Sequence, residues 1–134
     1  MARLILDTCV LVAGGRGRVD VGSLADTDDV ALPAVVVAEY LAGVLLDADP
    51  GRAAAQRAFL DEVLAVVPIM DYDRAVAEHH AALLAHTHRT GNRRGAHDLI
   101  IAATARAAGR VVATTDERAR FGDLPEVTVR MISF

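Results

Sequence analysis

Two aspartates follow apolar runs that have the character of buried strands. Asp7 comes directly after residues 4–6, and Asp116 stands just past residues 111–114. In a parallel sheet, residues beyond the strand C-termini face the crevice where ligands bind, so both carboxylates are expected at that edge. For Asp7 a turn or a helix cap is the competing interpretation, because Asp followed by Thr8 is ordinary turn chemistry.

Two further acids belong to helices whose sequences are mostly apolar. Asp98 opens a helix predicted over residues 99–108, where the exposed N–H groups of the first turn favour a carboxylate. Glu39 lies in a helix predicted over residues 34–46, with valines before it and a leucine after it. Burying an unpaired carboxylate is costly or raises its pKa, so Glu39 requires a cation or a hydrogen-bond partner. A structural and a functional role both satisfy that requirement.

These four carboxylates define a candidate metal site if the sheet brings them together. Strand ends and helix starts share one edge of a doubly wound sheet, and four acids crowded there repel one another unless a cation is present. Oxygen ligands, with no cysteine or histidine at comparable positions, favour Mg²⁺ or Mn²⁺ over zinc. Metal-assisted hydrolysis of a phosphodiester is the chemistry that suits such a set of side chains.

The elements that must position these residues alternate between strands and helices. Strands are predicted at 4–6, 30–32, 66–70, 111–114 and 127–132, and the proline at position 68 places the third at an edge. Helices are predicted at 34–46, 50–63, 71–90, 99–108 and 117–121, with Asp49 and Asp71 as N-caps and Gly91 and Gly109 as stops. Residues 13–18 are predicted to be a flexible loop. This order indicates one domain, residues 1–134, with a three-layer α/β fold and a mainly parallel central sheet flanked by helices.

Composition excludes several other classes of protein. The chain of 134 residues has a net charge of −4, so broad attraction to nucleic acid is not expected and any such contact must be local. It contains no lysine, which P-loop NTPases, Schiff-base enzymes, dehalogenase-like phosphatases and receiver domains all need. The lone Cys9 and the lack of any apolar run of about 18 residues predict a cytoplasmic protein without membrane contact.

Arginine is therefore the side chain left for phosphate contacts. Arg16 and Arg18 lie in the predicted glycine-rich loop, and Arg93 and Arg94 form a basic turn that leads to Asp98. All four are candidates for contacts to RNA or to a protein partner. Solvated surface loops are the competing interpretation at both places.

Four short motifs, in order along the chain, resemble those of PIN-domain ribonucleases. Each motif is weak alone, but four at such spacing are a strong signal. Their start-to-finish coverage is most similar to the VapC toxins of bacterial toxin–antitoxin modules. The motifs are Leu4-Ile5-Leu6-Asp7-Thr8, Ala38-Glu39-Tyr40-Leu41-Ala42-Gly43, Asp98-Leu99-Ile100-Ile101-Ala102-Ala103-Thr104, and Thr114-Thr115-Asp116 with the residues up to Phe121.

The resemblance implies an endoribonuclease dependent on Mg²⁺, with Mn²⁺ as the alternative, that cuts tRNA or ribosomal RNA. It implies Asp7, Asp98 and Asp116 as metal ligands and Thr114 as an accessory hydroxyl. Glu39 would orient or deprotonate the attacking water. It further implies a VapB-type antitoxin whose tail covers the acidic pocket, and a homodimer that enters a larger toxin–antitoxin assembly.

Two residues depart from the family's usual pattern, and one alternative function stays open. Cys9 stands where the family more often has Asn or Ser, and we expect it to loosen a hydrogen bond at Asp7. His97 is also atypical and is expected to add a pH-sensitive group near the metal. The alternative is a non-catalytic PIN-like binding module whose acidic pocket holds an arginine-bearing peptide; divalent-metal binding separates the two.

Overall fold

A parallel sheet of five strands forms the centre of the molecule, in a computed structural model that describes residues 1–133. The strands are β1 (Arg3–Leu6), β2 (Asp29–Pro33), β3 (Ile69–Met70), β4 (Val111–Thr114) and β5 (Val129–Met131). Their spatial order is β3-β2-β1-β4-β5, and every neighbouring pair is parallel. The predicted α/β fold with a mainly parallel sheet is therefore confirmed.

Six α-helices connect and flank these strands. They are α1 (Thr8–Gly15), α2 (Val21–Thr27), α3 (Ala34–Leu46), α4 (Pro50–Leu64), α5 (Arg74–Thr90) and α6 (Ala96–Ala108). Two 3-10 turns, Glu117–Ala119 and Phe121–Asp123, follow β4. Among residues 1–133, no helix is long and apolar enough to cross a membrane.

Strand β1 lies at the centre of the sheet and of the core. Leu4, Ile5 and Leu6 are completely buried, as are Val112 and Ala113 in the neighbouring strand β4. Strands covered on both faces read as continuous apolar runs rather than alternating ones, which is why these segments were recognisable. Polar side chains therefore first occur where each of these strands ends.

Capping residues set most of the helix boundaries. Asp49 caps α4 with Pro50 at its first position, and Gly91 and Gly109 end α5 and α6 in the left-handed conformation, as predicted. Helix α5 begins later than predicted. Its N-cap is Asp73, whose side chain accepts a hydrogen bond from the backbone N–H of Val76 at 3.0 Å.

Helices α1 and α2 were missed by the sequence analysis. The predicted loop at residues 13–18 is partly wrong, because Gly14 and Gly15 form the last turn of α1. Two adjacent glycines disfavour a helix, but here close packing requires them. A side chain at Gly14 would place its Cβ 2.6 Å from Val21 Cγ2 and 2.9 Å from Phe59 Cζ.

Smaller differences concern the ends of other elements. Strand β3 has two residues instead of the five predicted, although its place at the sheet edge is confirmed. Strand β5 is limited to Val129–Met131, and the helix expected at 117–121 is a pair of 3-10 turns. Helix α6 begins at Ala96, so Asp98 lies inside its first turn rather than at its start.

Candidate active site

Asp7 joins the end of β1 to the start of α1. Its Oδ1 accepts a hydrogen bond from the Thr8 backbone N–H at 2.7 Å, and Oδ2 accepts one from Thr114 Oγ1 at 2.8 Å. The thiol of Cys9 also donates to Oδ2 at 3.3 Å. Only 6% of Asp7 is exposed. It is a helix N-cap, as the competing interpretation had it, and also a carboxylate at the carboxyl edge of the sheet.

Thr114 connects Asp7 with the segment that carries Asp116. Its hydroxyl donates to Asp7 and accepts a hydrogen bond from the Asp116 backbone N–H at 3.0 Å. Asp116 then caps the following 3-10 turn, accepting from the Arg118 backbone N–H at 2.9 Å. Cys9 closes the same network, because Thr115 N–H donates to its sulfur at 3.3 Å. The Asp7 carboxylate thus accepts hydrogen bonds from the Thr114 hydroxyl and from the Cys9 thiol, which is the weaker donor.

Glu39 has two polar contacts, as expected for a carboxylate in an apolar stretch of sequence. Thr8 Oγ1 donates to its Oε1 at 2.8 Å, and His97 Nδ1 lies 3.1 Å from its Oε2. The side chain is 28% exposed, so one side of the carboxylate remains open to solvent. His97, which the sequence had marked as unusual, therefore contacts Glu39, and Thr8 is a site residue that the sequence analysis did not single out.

Asp98 shows that these acids act on one another. Burial, together with the charges of Asp7, Glu39 and Asp116, raises the pKa of its carboxyl to about 6, while His97 acts in the opposite direction. The contributions of three other carboxylates to this shift show that negative charges lie close to Asp98. The parallel topology therefore brings all four acids to the same edge of the sheet.

A match to a family model identifies the domain to which these acids belong. The model described as "PIN domain" matches residues 4–126. The chain belongs to the PIN domain family.

Several solved structures are similar to this PIN domain, and one of them, VapBC-5, is described as a member of the VapBC family of toxin–antitoxin systems. VapBC-5 of Mycobacterium tuberculosis is 30% identical, with a TM-score of 0.78 and 100% of both chains covered. FitAcB of Neisseria gonorrhoeae is 27% identical, with 94% of this chain and 95% of that chain covered and a TM-score of 0.77. VapBC2 of Rickettsia felis, bound to a promoter DNA fragment, has a TM-score of 0.86 at 21% identity, covering 97% and 98% of the two chains, and supports the fold alone. A search of curated protein sequences found no significant match.

The likeness to VapBC-5 and the family match agree with the resemblance seen in the sequence. The predicted VapC-type PIN domain is confirmed. PIN domains of this type are generally nucleases, which agrees with an edge that presents four carboxylates.

The donor set of this PIN domain fits a hard divalent cation by its chemistry. Its oxygens are carboxylates, and their mutual repulsion is relieved by a cation of high charge. In the present side-chain positions, no three acidic, imidazole or thiol groups within residues 1–133 are close enough together to hold one ion. Asp7 is held instead by hydrogen bonds from Thr8, Cys9 and Thr114, and Glu39 by one from Thr8.

The four candidate arginines have different surroundings. Arg16 is exposed and lines a groove next to Glu39, while Arg18 and Arg93 are exposed in their loops. Arg94 is only partly exposed. Its guanidinium turns inward and donates to the backbone carbonyls of Ala119 and Arg120 at 2.8 and 2.7 Å.

The groove next to Glu39 has a volume of about 710 Å³ and runs along α3 toward the start of α4. Tyr40, Val44 and Leu46 give it an apolar wall, and Asp47 and Arg52 lie at its far end. Arg52 and the backbone N–H of Asp49 lower the pKa of Asp47 to about 2, so that end carries a fixed ion pair. An extended peptide that lies in this groove would reach Glu39.

Proposed function

We propose that this PIN domain is an endoribonuclease toxin that hydrolyses RNA phosphodiester bonds in the cytoplasm with Mg²⁺, or Mn²⁺ as the alternative. The observation that carries the proposal is the network of contacts at the carboxyl edge of the sheet, where Thr114 joins Asp7 to the Asp116 segment and Thr8 and His97 contact Glu39. Burial and the charges of Asp7, Glu39 and Asp116 also raise the pKa of the Asp98 carboxyl to about 6. Such an arrangement is costly without a cation, and active sites are where such costs are found.

Each acid has a role that its contacts support. Asp7, Asp98 and Asp116 would hold the metal, and Thr114 would keep Asp7 and Asp116 in register through its two hydrogen bonds. A bound divalent ion would supply charge neutralisation at the phosphate and a more acidic attacking water. Glu39, fixed by Thr8 and His97 but still partly open to solvent, would orient that water and accept its proton.

The test is cleavage of total cellular RNA by purified protein free of antitoxin, with Mg²⁺, with Mn²⁺ and with EDTA. We expect discrete fragments that disappear with EDTA and with Asp7→Asn, and sequencing of their ends would identify tRNA or ribosomal RNA as the substrate. Glu117→Gln is the matched control, since this exposed acid adjoins Asp116 outside the network. Intact RNA under every metal condition, or equal cleavage by wild type and Asp7→Asn, would reject the proposal.

We also propose that a VapB-type antitoxin silences the toxin by laying a segment in the groove beside Glu39. The apolar wall and the nearby acids suit a segment with apolar and arginine side chains. Leu46→Glu should reduce co-purification of the antitoxin, because Leu46 lines the groove and is 85% exposed. Val66→Glu is the control, at a residue 68% exposed elsewhere. Equal co-purification by both variants would exclude this groove.

A homodimer that enters a larger toxin–antitoxin assembly completes the proposal. Large apolar side chains such as Leu84 and Ile69 are partly exposed and are available for a subunit contact. The mass of the purified protein in solution, measured with and without antitoxin, tests both statements. A monomer under both conditions would contradict them.

A further inference from the structure

Arg94 is a half-buried cation without a carboxylate partner among the residues that the structure describes. Its side chain donates only to the carbonyl oxygens of Ala119 and Arg120, and its Nε is buried with no hydrogen-bond partner in residues 1–133. Arg106 and Arg110 also have a buried, unpartnered Nε, but each contacts a carboxylate, Glu126 and Asp29 respectively. Desolvating a guanidinium for two carbonyls alone is costly, so the contact has to be explained.

The two carbonyls belong to a turn that is itself unusual. Arg120 has a φ of 47°, in the left-handed region that residues other than glycine rarely adopt. Such a residue persists where surrounding contacts hold it. The guanidinium of Arg94 bridges the carbonyl of Arg120 and the one before it, and thereby stabilises the turn in this conformation.

The contact joins the two segments that carry Asp98 and Asp116. Arg94 lies in the loop before α6, whose first turn contains Asp98. Ala119 ends the 3-10 turn that Asp116 caps, and Arg120 follows it. Asp98 and Asp116 lie on different segments of the chain. The two hydrogen bonds of Arg94 connect these segments. A change in this contact would alter the relative placement of the two carboxylates.

We propose that Arg94 is a positioning residue that fixes the distance between Asp98 and Asp116 and does not bind RNA. The inference rests on the proposed function, in which these two acids hold the divalent ion. Neighbouring groups that orient metal ligands typically change metal affinity or activity by about 10- to 100-fold when removed. Arg93, the adjacent and exposed arginine, supplies a control of equal charge in the same loop.

The experiment compares wild type with Arg94→Ala, Arg94→Lys and Arg93→Ala. Mn²⁺ affinity is measured by electron paramagnetic resonance, and kcat and KM are measured on one RNA at several salt concentrations. For Arg94→Ala we expect Mn²⁺ affinity and kcat to fall about 10-fold or more with KM unchanged. Arg94→Lys, which keeps a cationic donor, should recover part of both. Arg93→Ala should leave Mn²⁺ affinity unchanged.

Two other outcomes would overturn the inference. If Arg94→Ala raises KM, weakens its salt dependence and leaves Mn²⁺ affinity intact, Arg94 is an RNA contact. If it lowers only the melting temperature, with affinity and kcat unchanged well below that temperature, its role is purely structural.

Hydrogen exchange without metal separates this inference from the proposed function. Arg94→Ala should increase exchange in residues 115–121 relative to Arg93→Ala, whether or not the protein cleaves RNA. If wild type does not cleave RNA but the exchange and Mn²⁺ results hold, the proposed function fails and Arg94 still positions the two acids. Unchanged exchange in residues 115–121 would reject the inference even in an active enzyme.

Discussion

At the amino ends of the strands, acidic side chains are paired with arginines, whereas at the carboxyl ends they face one another. Arg110 donates to Asp29 Oδ1 at 3.0 Å and to its backbone carbonyl at 2.9 Å, and Arg130 donates to Asp28 at 3.0 Å. The backbone N–H of Ala2, helped by Arg130, holds the pKa of Asp28 below its usual value. The ion pairs at the amino ends of the strands therefore stabilise the folded state.

The carboxyl ends carry the opposite balance. Burial, and after it the charges of Asp7, Glu39 and Asp116, raise the pKa of Asp98 to about 6. Arg118 Nε lies 3.7 Å from Asp116, but its side chain is 97% exposed, so the pair contributes little. One end of the sheet therefore stabilises the fold, and the other end retains a repulsion that a divalent cation would relieve.

The largest expected effect compares one acid from each end in the cleavage assay. Asp98→Asn should reduce RNA cleavage by about 100-fold or more, because it removes a proposed ligand of the metal ion that would stabilise charge in the transition state. Asp29→Asn should leave cleavage within about twofold, because Asp29 touches only the arginines and backbone of the amino end. Similar losses in both variants would show that the two ends are not functionally distinct.

The next effect concerns stability at the amino end. Arg110→Ala should lower the free energy of unfolding by about 2 kcal/mol, since it removes several hydrogen bonds from a side chain that is only 7% exposed. Urea unfolding at neutral pH measures the change, and Arg110→Lys should lose less. As a control, Arg118→Ala at the other end should change the free energy by no more than about 0.5 kcal/mol. A larger loss for Arg118→Ala would reverse the comparison.

The pH dependence of stability should report the raised pKa of Asp98, which burial and the neighbouring acids both cause. The folded pKa of Asp98, about 6, exceeds the unfolded value of about 3.9, so the folded state binds more protons between them and loses stability as pH rises through that range. In EDTA, Asp98→Asn should therefore gain stability relative to wild type at about pH 8 compared with about pH 4, by at most about 2 kcal/mol because solvent screens part of the effect.

Saturating Mg²⁺ provides the control for this measurement. The metal should stabilise wild type more than Asp98→Asn, because a ligand that binds only the folded state adds to its stability. If the difference between the two proteins is independent of pH, or has the opposite sign, the charges at the carboxyl edge do not act on Asp98 as described.

The smallest effect compares the two side-chain donors at Asp7. Thr114→Val keeps the shape of the side chain but removes the hydroxyl, and should cost about 1 kcal/mol in the free energy of unfolding. Cys9→Ala should cost less through its hydrogen bond, because a thiol is the weaker donor. Urea unfolding of the two single variants and of the double variant measures both values and their coupling. A greater loss in Cys9→Ala would assign the main support of Asp7 to the thiol.

Much of the carboxyl edge could be predicted because parallel topology places it by rule. Buried runs identified β1 and β4, and a parallel sheet then fixes where the residues after them must lie. The same rule predicts that Asp7 and Asp116 lie at the same edge of the sheet. It could not assign the arginines, because whether Arg94 turns inward or outward depends on a turn that the sequence does not reveal.

The other failures share one physical cause, which is packing between distant parts of the chain. Helix α1 contains two glycines whose local preference opposes a helix, and the preference is overridden by contacts with Val21, Phe59 and Tyr40. The pairing of Arg110 with Asp29 likewise joins distant parts of the chain, the residue before β4 and the first residue of β2. Local sequence patterns do not predict such long-range contacts.

Helix α1 has a mechanical consequence. Its eight residues form a rod about 12 Å long, with Asp7 at one end and Gly14 and Gly15 against Phe59 and Tyr40 at the other. Tyr40 also lines the groove beside Glu39 and holds the Gln56 carbonyl of α4 by a hydrogen bond of 3.1 Å. Helix α1 therefore joins the groove side of the molecule to Asp7 through direct packing contacts.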